Sequence, residues 1–201
     1  MDIERFFFDT DQIEFDLLTD AESNPTNQVS GYAMKWNTLS HDRGGYRDVF
    51  RPGAFGDSLY STDSVDVKAY YDHETNKYLA RTGNGTLRLS TDEKGLKFSF
   101  DLPDTQLGRD VKTLIQRGDI PGMSFGYFPD KYRWKDEAQG PIREHLSGRL
   151  VEVSVVHDPG IPKTELVLHS LQKWKDKQKQ EQEKTPQLDR IKRILKLSEN
   201  I

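Results

Sequence analysis

Gly118-Asp119-Ile120-Pro121-Gly122-Met123-Ser124-Phe125-Gly126-Tyr127 places a serine between two glycines, where one hydrophobic spacing gives way to another. Upstream, Leu107, Val111, Leu114 and Ile115 recur at i, i+4, i+7 and i+8. That is a helical stripe, which Asp104 can cap and Gly118 stops. Downstream, the pattern is apolar, aromatic and β-like. Gly122 to Gly126 matches G-x-S-x-G letter for letter, but the nucleophile elbow written that way follows a strand and opens a helix. Here the order is reversed, and the chain lacks βα alternation. The stretch therefore excludes a doubly wound sheet. Two readings of Ser124 stay open: a strand serine facing solvent after a Pro-Gly turn, or a nucleophile that flanking glycines allow another chain to approach closely.

Outward from this stretch the pattern is that of an antiparallel meander. Leu96, Phe98, Phe100 and Leu102 alternate with Lys97, Ser99 and Asp101, the period of a strand with one buried face. Val65 to Tyr71 alternates in the same way and breaks at Asp72-His73-Glu74. Residues 3–18, with Phe6-Phe7-Phe8 and Ile13, Phe15 and Leu17, read as one or two strands, and Val29 to Trp36 as another. Leu150 to Val156 is a further β run, and Glu165 to Leu168 a last short strand. Asp130 to Gly148 reads as a polar excursion. The expected class is mainly β with flanking helices (α+β).

Composition narrows the chemistry. No cysteine is present among the 201 residues, which excludes disulfides, thiol catalysis and thiolate metal sites. No apolar run approaches the ~20 residues of a membrane span. The first residues lack the basic and apolar regions of a secretion signal. The net charge of -4 divides unevenly: residues 171–201 carry nine Lys/Arg against five Asp/Glu. Gln172 to Lys184 is almost wholly polar, and Thr185-Pro186 opens a short helix with Leu188, Ile191 and Leu195 on one face. The expected organisation is a β domain over 1–170 and a charged linker with a helix over 171–201. A basic tail suits an acidic partner.

A serine at its ordinary pKa needs a base within hydrogen-bond reach and a third group to orient that base. Of five histidines, His73 stands where a strong strand ends, between Asp72 and Glu74. It is either a surface turn residue or a side chain projecting into a cleft. His157 also ends a strand, whereas His41 and His145 fall in polar stretches and His169 at the domain end. Glu152 lies in Val151-Glu152-Val153-Ser154-Val155-Val156, where an unpaired carboxylate would be costly if buried. It faces solvent or pairs with a histidine. A metal held by Asp72, His73 and Glu74 is disfavoured, because consecutive strand side chains diverge.

Several stretches together resemble the prohead maturation proteases of tailed bacteriophages. They are Gly31-Tyr32-Ala33, Pro52-Gly53-Ala54-Phe55, Tyr71-Asp72-His73, Asn84-Gly85-Thr86-Leu87, Asp92-Glu93-Lys94-Gly95-Leu96, Arg117-Gly118-Asp119-Ile120, Gly122-Met123-Ser124-Phe125-Gly126 and Glu152-Val153-Ser154. The pieces occur in the family's order across about residues 29–168. The family is similar in fold to the herpesvirus assemblins, so the resemblance implies a β-barrel flanked by helices. It implies Ser124 as nucleophile and His73 as general base. The assemblins use a second histidine as third member. Glu152 stands at the matching place here, with His157 as the alternative. No arginine follows Glu152 in the domain to hold an oxyanion, and Arg149 is only a loose substitute.

The resemblance further implies an endopeptidase that cuts the scaffolding segment of a capsid protein, and itself, inside a procapsid in the host cytoplasm. It implies capsid protein as partner, self-association, no cofactor and no membrane. Two other classes compete. One is a non-catalytic β-barrel that binds capsid subunits. The other is a nucleic-acid binder using the basic tail, which has one aromatic residue, Trp174, and no stacking platform.

Overall fold

The computed structural model describes residues 3–7, 14–23, 25–60, 65–157, 172 and 174–179. The expected Glu165 to Leu168 strand, the helix after Pro186, and Phe8, Ile13 and His169 lie outside these residues. The chain divides into two units, 1–162 and 163–201. In the second, the described residues Gln172 and 174–179 are helical where a linker was expected.

The first unit is mostly β, as the alternating patterns predict. Among the described residues ten strands run in chain order: β1 (Glu4–Phe7), β2 (Glu14–Thr19), β3 (Pro25–Lys35), β4 (Arg47–Phe50), β5 (Lys68–Tyr71), β6 (Tyr78–Arg81), β7 (Leu87–Thr91), β8 (Gly95–Asp101), β9 (Gly122–Glu137) and β10 (Gly140–Val156). They form two sheets, ordered β1-β9-β10-β5-β6 and β2-β3-β8-β7, with β4 also paired to β10. Neither sheet closes into a barrel among the described residues. Two α-helices flank them among the described residues, α1 (Gly56–Tyr60) and α2 (Gln106–Arg117).

The clean alternation of β8 has the expected cause. Leu96, Phe98 and Phe100 are at most 1% exposed, and full burial of such side chains is worth roughly 1.5–3 kcal/mol each. They share one core with side chains of the other sheet and with Val111 and Ile115 of α2. That helix is capped by Thr105, whose side chain accepts from the Gly108 N–H, one residue beyond the expected Asp104. Gly118 ends it at φ 78, donating to the Ile115 carbonyl, a left-handed stop that glycine adopts without steric cost.

The expected polar excursion at 130–148 is instead a hairpin arm. β9 and β10 pair antiparallel from Gly122↔Val156 out to Glu137↔Gly140. Its buried charges sit in strands because they find partners. Arg143, 1% exposed, donates from Nε to Asp48 Oδ1 (2.7 Å) and from both terminal nitrogens to Glu4 (3.1 and 2.5 Å). Buried His145 bonds to Asp48 Oδ1 (2.6 Å) and to the Tyr127 hydroxyl. Burial holds His145 below its ordinary pKa. The neutral ring then donates from Nε2 to Asp48 and accepts from Tyr127 at Nδ1. Glu144 takes Arg51, Arg133 and Lys135. Hydrophobic periodicity cannot register charges buried in pairs.

Candidate active site

Strand β10 organises the site because it lies between the two strands that carry the other groups. On one side β9 runs antiparallel, with Ser154 opposite Ser124 and Glu152 opposite Gly126. On the other, β5 runs parallel, with Val155 opposite Tyr71, and the Asp72 N–H continues the ladder to the Val155 carbonyl at 3.0 Å. Directly paired residues share a face, so Ser124, Glu152 and Ser154 face the same way. A register shift between Leu150 and Glu152 sets that alignment.

His73 enters from the turn after β5. Asp72 and His73 both have positive φ, 54° and 61°, and Glu74 N–H bonds back to the Tyr71 carbonyl at 3.2 Å. Two left-handed residues in succession are the mark of a tight hairpin turn. For side chains of this size the conformation costs roughly 1–2 kcal/mol per residue. The turn is anchored by Asp72, whose Oδ1 accepts from the His157 N–H (3.1 Å) and pairs with its Nδ1 (2.8 Å).

The result is one connected chain of hydrogen bonds. His73 Nε2 lies 2.7 Å from Ser124 Oγ, and Nδ1 lies 2.6 Å from Glu152 Oε1. Arg5 Nε donates to the same Oε1 at 2.9 Å. Burial pushes the Glu152 carboxyl up, but the hydrogen bonds and charges of His73 and Arg5 outweigh it, and the net pKa is lowered. A carboxylate only accepts, so Nδ1 carries the proton and Nε2 presents its lone pair to the serine. Ser124 is 0% exposed, and its hydroxyl also reaches the Phe6 carbonyl at 3.0 Å.

The second glycine of the serine motif has a specific task. Ser124 and Gly126 both lie inside β9 and neither has a positive φ, so the strained strand-to-helix turn of an elbow is absent. A Cβ there would stand 2.8 Å from Glu152 Cγ and 2.9 Å from its Oε1. Glycine is what lets the carboxylate lie against β9.

Thus His73, Ser124 and Glu152, separated by 51 and 79 residues along the chain, are brought together. His157 is exposed and its Nδ1 pairs with Asp72 rather than with the serine. Exposed Arg149 lies over the Phe128 ring, 4.8 Å from its centroid, four residues further along β9 than Ser124, or about 13 Å at strand rise. The reading of sequence missed Arg5, which sits in a segment whose only signal was apolar. It also missed the roles of Gly126 and Asp72, which depend on register.

No curated protein matches the sequence. Among solved structures the chain is similar to the bacteriophage T4 capsid assembly protease, gp21, at TM-score 0.48 and 12% identity, over 77% of this chain and 95% of that one. The resemblance drawn from the ordered motifs holds for the family. The family model described as caudovirus prohead serine protease matches residues 14–179, most of the chain, and the chain therefore belongs to that family of phage capsid-maturation peptidases.

Proposed function

We propose that Ser124, His73 and Glu152 act as nucleophile, general base and orienting carboxylate of a peptide-bond hydrolase. The observation that carries this reading is the unbroken hydrogen-bond chain from Ser124 Oγ through both ring nitrogens of His73 to Glu152. His73 Nε2 takes the serine proton as Oγ attacks the substrate carbonyl. The tetrahedral intermediate collapses as His73 returns that proton to the leaving amine. Water then attacks the acyl-serine, again with His73 as base, releasing the carboxyl product. Glu152 keeps the proton on Nδ1 and stabilises the imidazolium that forms twice in the cycle.

The substrates on this reading are the scaffolding segment of the capsid protein and the protease itself, cut within the procapsid in the host cytoplasm. Residues 171–201, with their excess of nine cations over five anions, bind an acidic surface of the assembling shell and are then removed by self-cleavage. Co-expression with the capsid protein tests the assignment. Ser124→Ala keeps the fold and lowers cleavage by ~10⁴–10⁶. Retention of more than a tenth of the activity places the nucleophile elsewhere. Intact mass separates the tail proposal: the wild-type chain loses about its last 20–30 residues and the Ser124→Ala chain keeps them.

A further inference from the structure

Strand β1 covers the serine. It is the outermost strand of its sheet, paired antiparallel to β9 with Phe7 opposite Ser124, Phe6 opposite Phe125, Arg5 opposite Gly126 and Glu4 opposite Tyr127. Without it, the serine-bearing stretch of β9 is a sheet edge whose N–H and C=O groups are open to another extended chain. β1 also precedes residues 14–179, the span that the family model matches.

Glu4, Arg5 and Phe6 of β1 are each held by different chemistry. The Glu4 carboxylate takes both terminal nitrogens of buried Arg143 (3.1 and 2.5 Å). The Arg5 carbonyl accepts from Arg43 Nη1 at 2.9 Å, and the Arg5 side chain reaches Glu152. The Phe6 ring is 0% exposed, with Phe50, Phe125 and Tyr127 centroids 5.0–5.7 Å away and the Arg43 guanidinium 4.2 Å above it. This is a charged clamp, an aromatic pocket two residues on, and a strand edge: the parts of a peptide-binding groove.

The occupant is held in a form that cannot be cut. Ser124 has one hydroxyl proton and two acceptors, His73 Nε2 at 2.7 Å and the Phe6 carbonyl oxygen at 3.0 Å. When the proton points at Phe6 it is not available to His73. The hydroxyl then meets the oxygen of that carbonyl as a donor, whereas attack requires the oxygen lone pair to meet the carbonyl carbon. Complete burial of Ser124 excludes any other peptide at the same time.

We propose that the groove along β9 is a site for an extended peptide bearing an acidic side chain and, two residues on, an aromatic one, and that β1 fills it in cis and keeps Ser124 latent. The inference rests on Ser124 being the nucleophile. A substrate strand that offers the same two groups replaces the contacts that β1 gives up, so exchange is driven by local concentration, as inside a filling shell.

Labelling with diisopropyl fluorophosphate tests this without a protein substrate. Ser124 Oγ bonds to phosphorus, the P–F bond breaks, fluoride leaves, and the hydroxyl proton passes to His73. Labelling is followed by intact mass in the full chain, in Glu4→Ala and in a chain lacking residues 1–8, with folding checked by circular dichroism. Glu4→Ala should label about tenfold faster than the full chain, and the shortened chain ~10² faster. The peptide Met-Asp-Ile-Glu-Arg-Phe-Phe-Phe added in trans should slow the shortened chain, and the same peptide with Phe6→Ala should not. Equal labelling of the full chain and the folded variants overturns latency and leaves the nucleophile assignment standing. If the shortened chain does not fold, equal rates for the full chain and Glu4→Ala overturn it alone. Absence of labelling at Ser124 in every folded form overturns the nucleophile assignment, and this inference with it.

Discussion

Replacing Glu152 by glutamine separates the charge of the orienting residue from its geometry. A single oxygen, Oε1, receives both His73 Nδ1 (2.6 Å) and Arg5 Nε (2.9 Å). The glutamine carbonyl can accept both donors, so the proton stays on Nδ1 and Arg5 keeps its bond. What disappears is the negative charge facing the imidazolium. Two unit charges about 4 Å apart interact by ~4 kcal/mol at an effective dielectric near 20. When substrate replaces β1 as proposed above, Arg5 leaves this carboxylate, and water reaching the opened site screens about half of that attraction, leaving ~2 kcal/mol. At 1.36 kcal/mol per decade, Glu152→Gln should slow capsid-protein cleavage by about 30-fold. Glu152→Leu also releases the tautomer and should fall by ~10⁴. Cleavage rates of wild type, Gln and Leu forms against the same capsid protein give both ratios. A wild-type rate for Glu152→Gln removes Glu152 from the mechanism. Equal losses in Gln and Leu refute the claim that Oε1 holds the tautomer.

Three further outcomes follow from the contacts. His157→Ala should reduce cleavage only about two- to fivefold, because the backbone N–H of residue 157 still holds Asp72 Oδ1 at 3.1 Å and His73 keeps its place. Cleavage abolished by His157→Ala would move the third role to that residue. Gly95→Ala should cost about 2–4 kcal/mol and lower Tm by about 5–10 °C, since its Cβ would lie 2.0 Å from the Met34 carbonyl oxygen, a backbone atom that cannot turn aside. Gly56→Ala, with nothing within 4 Å of its Cβ, is the control, and equal Tm values for the two would refute the packing argument. Burial raises the Glu144 carboxyl, but Lys135, Arg51 and Arg133 outweigh it and lower its pKa to about 2. A depressed carboxyl stabilises the fold above its unfolded pKa of ~4.5 and loses that contribution as pH falls towards ~2. Its three cations are 35–57% exposed, which reduces the full linkage value to about 2 kcal/mol. In urea unfolding, Glu144→Gln should be less stable by that amount at pH 7 and the gap should close towards pH 3; a constant gap refutes the linkage.

Wherever a face was apolar and continuous, the amino-acid sequence alone was sufficient. Leu96, Phe98 and Phe100 declare β8, and Leu107, Val111, Leu114 and Ile115 declare α2 and its glycine stop, because burial of one face imposes the period of the backbone that presents it. The residue types Ser124, His73 and Glu152 were legible for a different reason: each stands where a plain strand would not need it, and their order along the chain resembles one family. The hairpin arm at 130–148 was not legible. Arg143, Glu144 and His145 read as solvent-facing until Asp48, Glu4 and three surface cations are brought beside them. The same holds for the finer structure of the site. That Glu152 and not His157 meets His73 depends on a register shift in β10 and on the missing Cβ of Gly126. That the Phe6 carbonyl lies on the serine depends on β1 pairing with a strand more than a hundred residues away. Local pattern records which face a residue shows; which distant strand lies beside it is decided only when the sheets assemble.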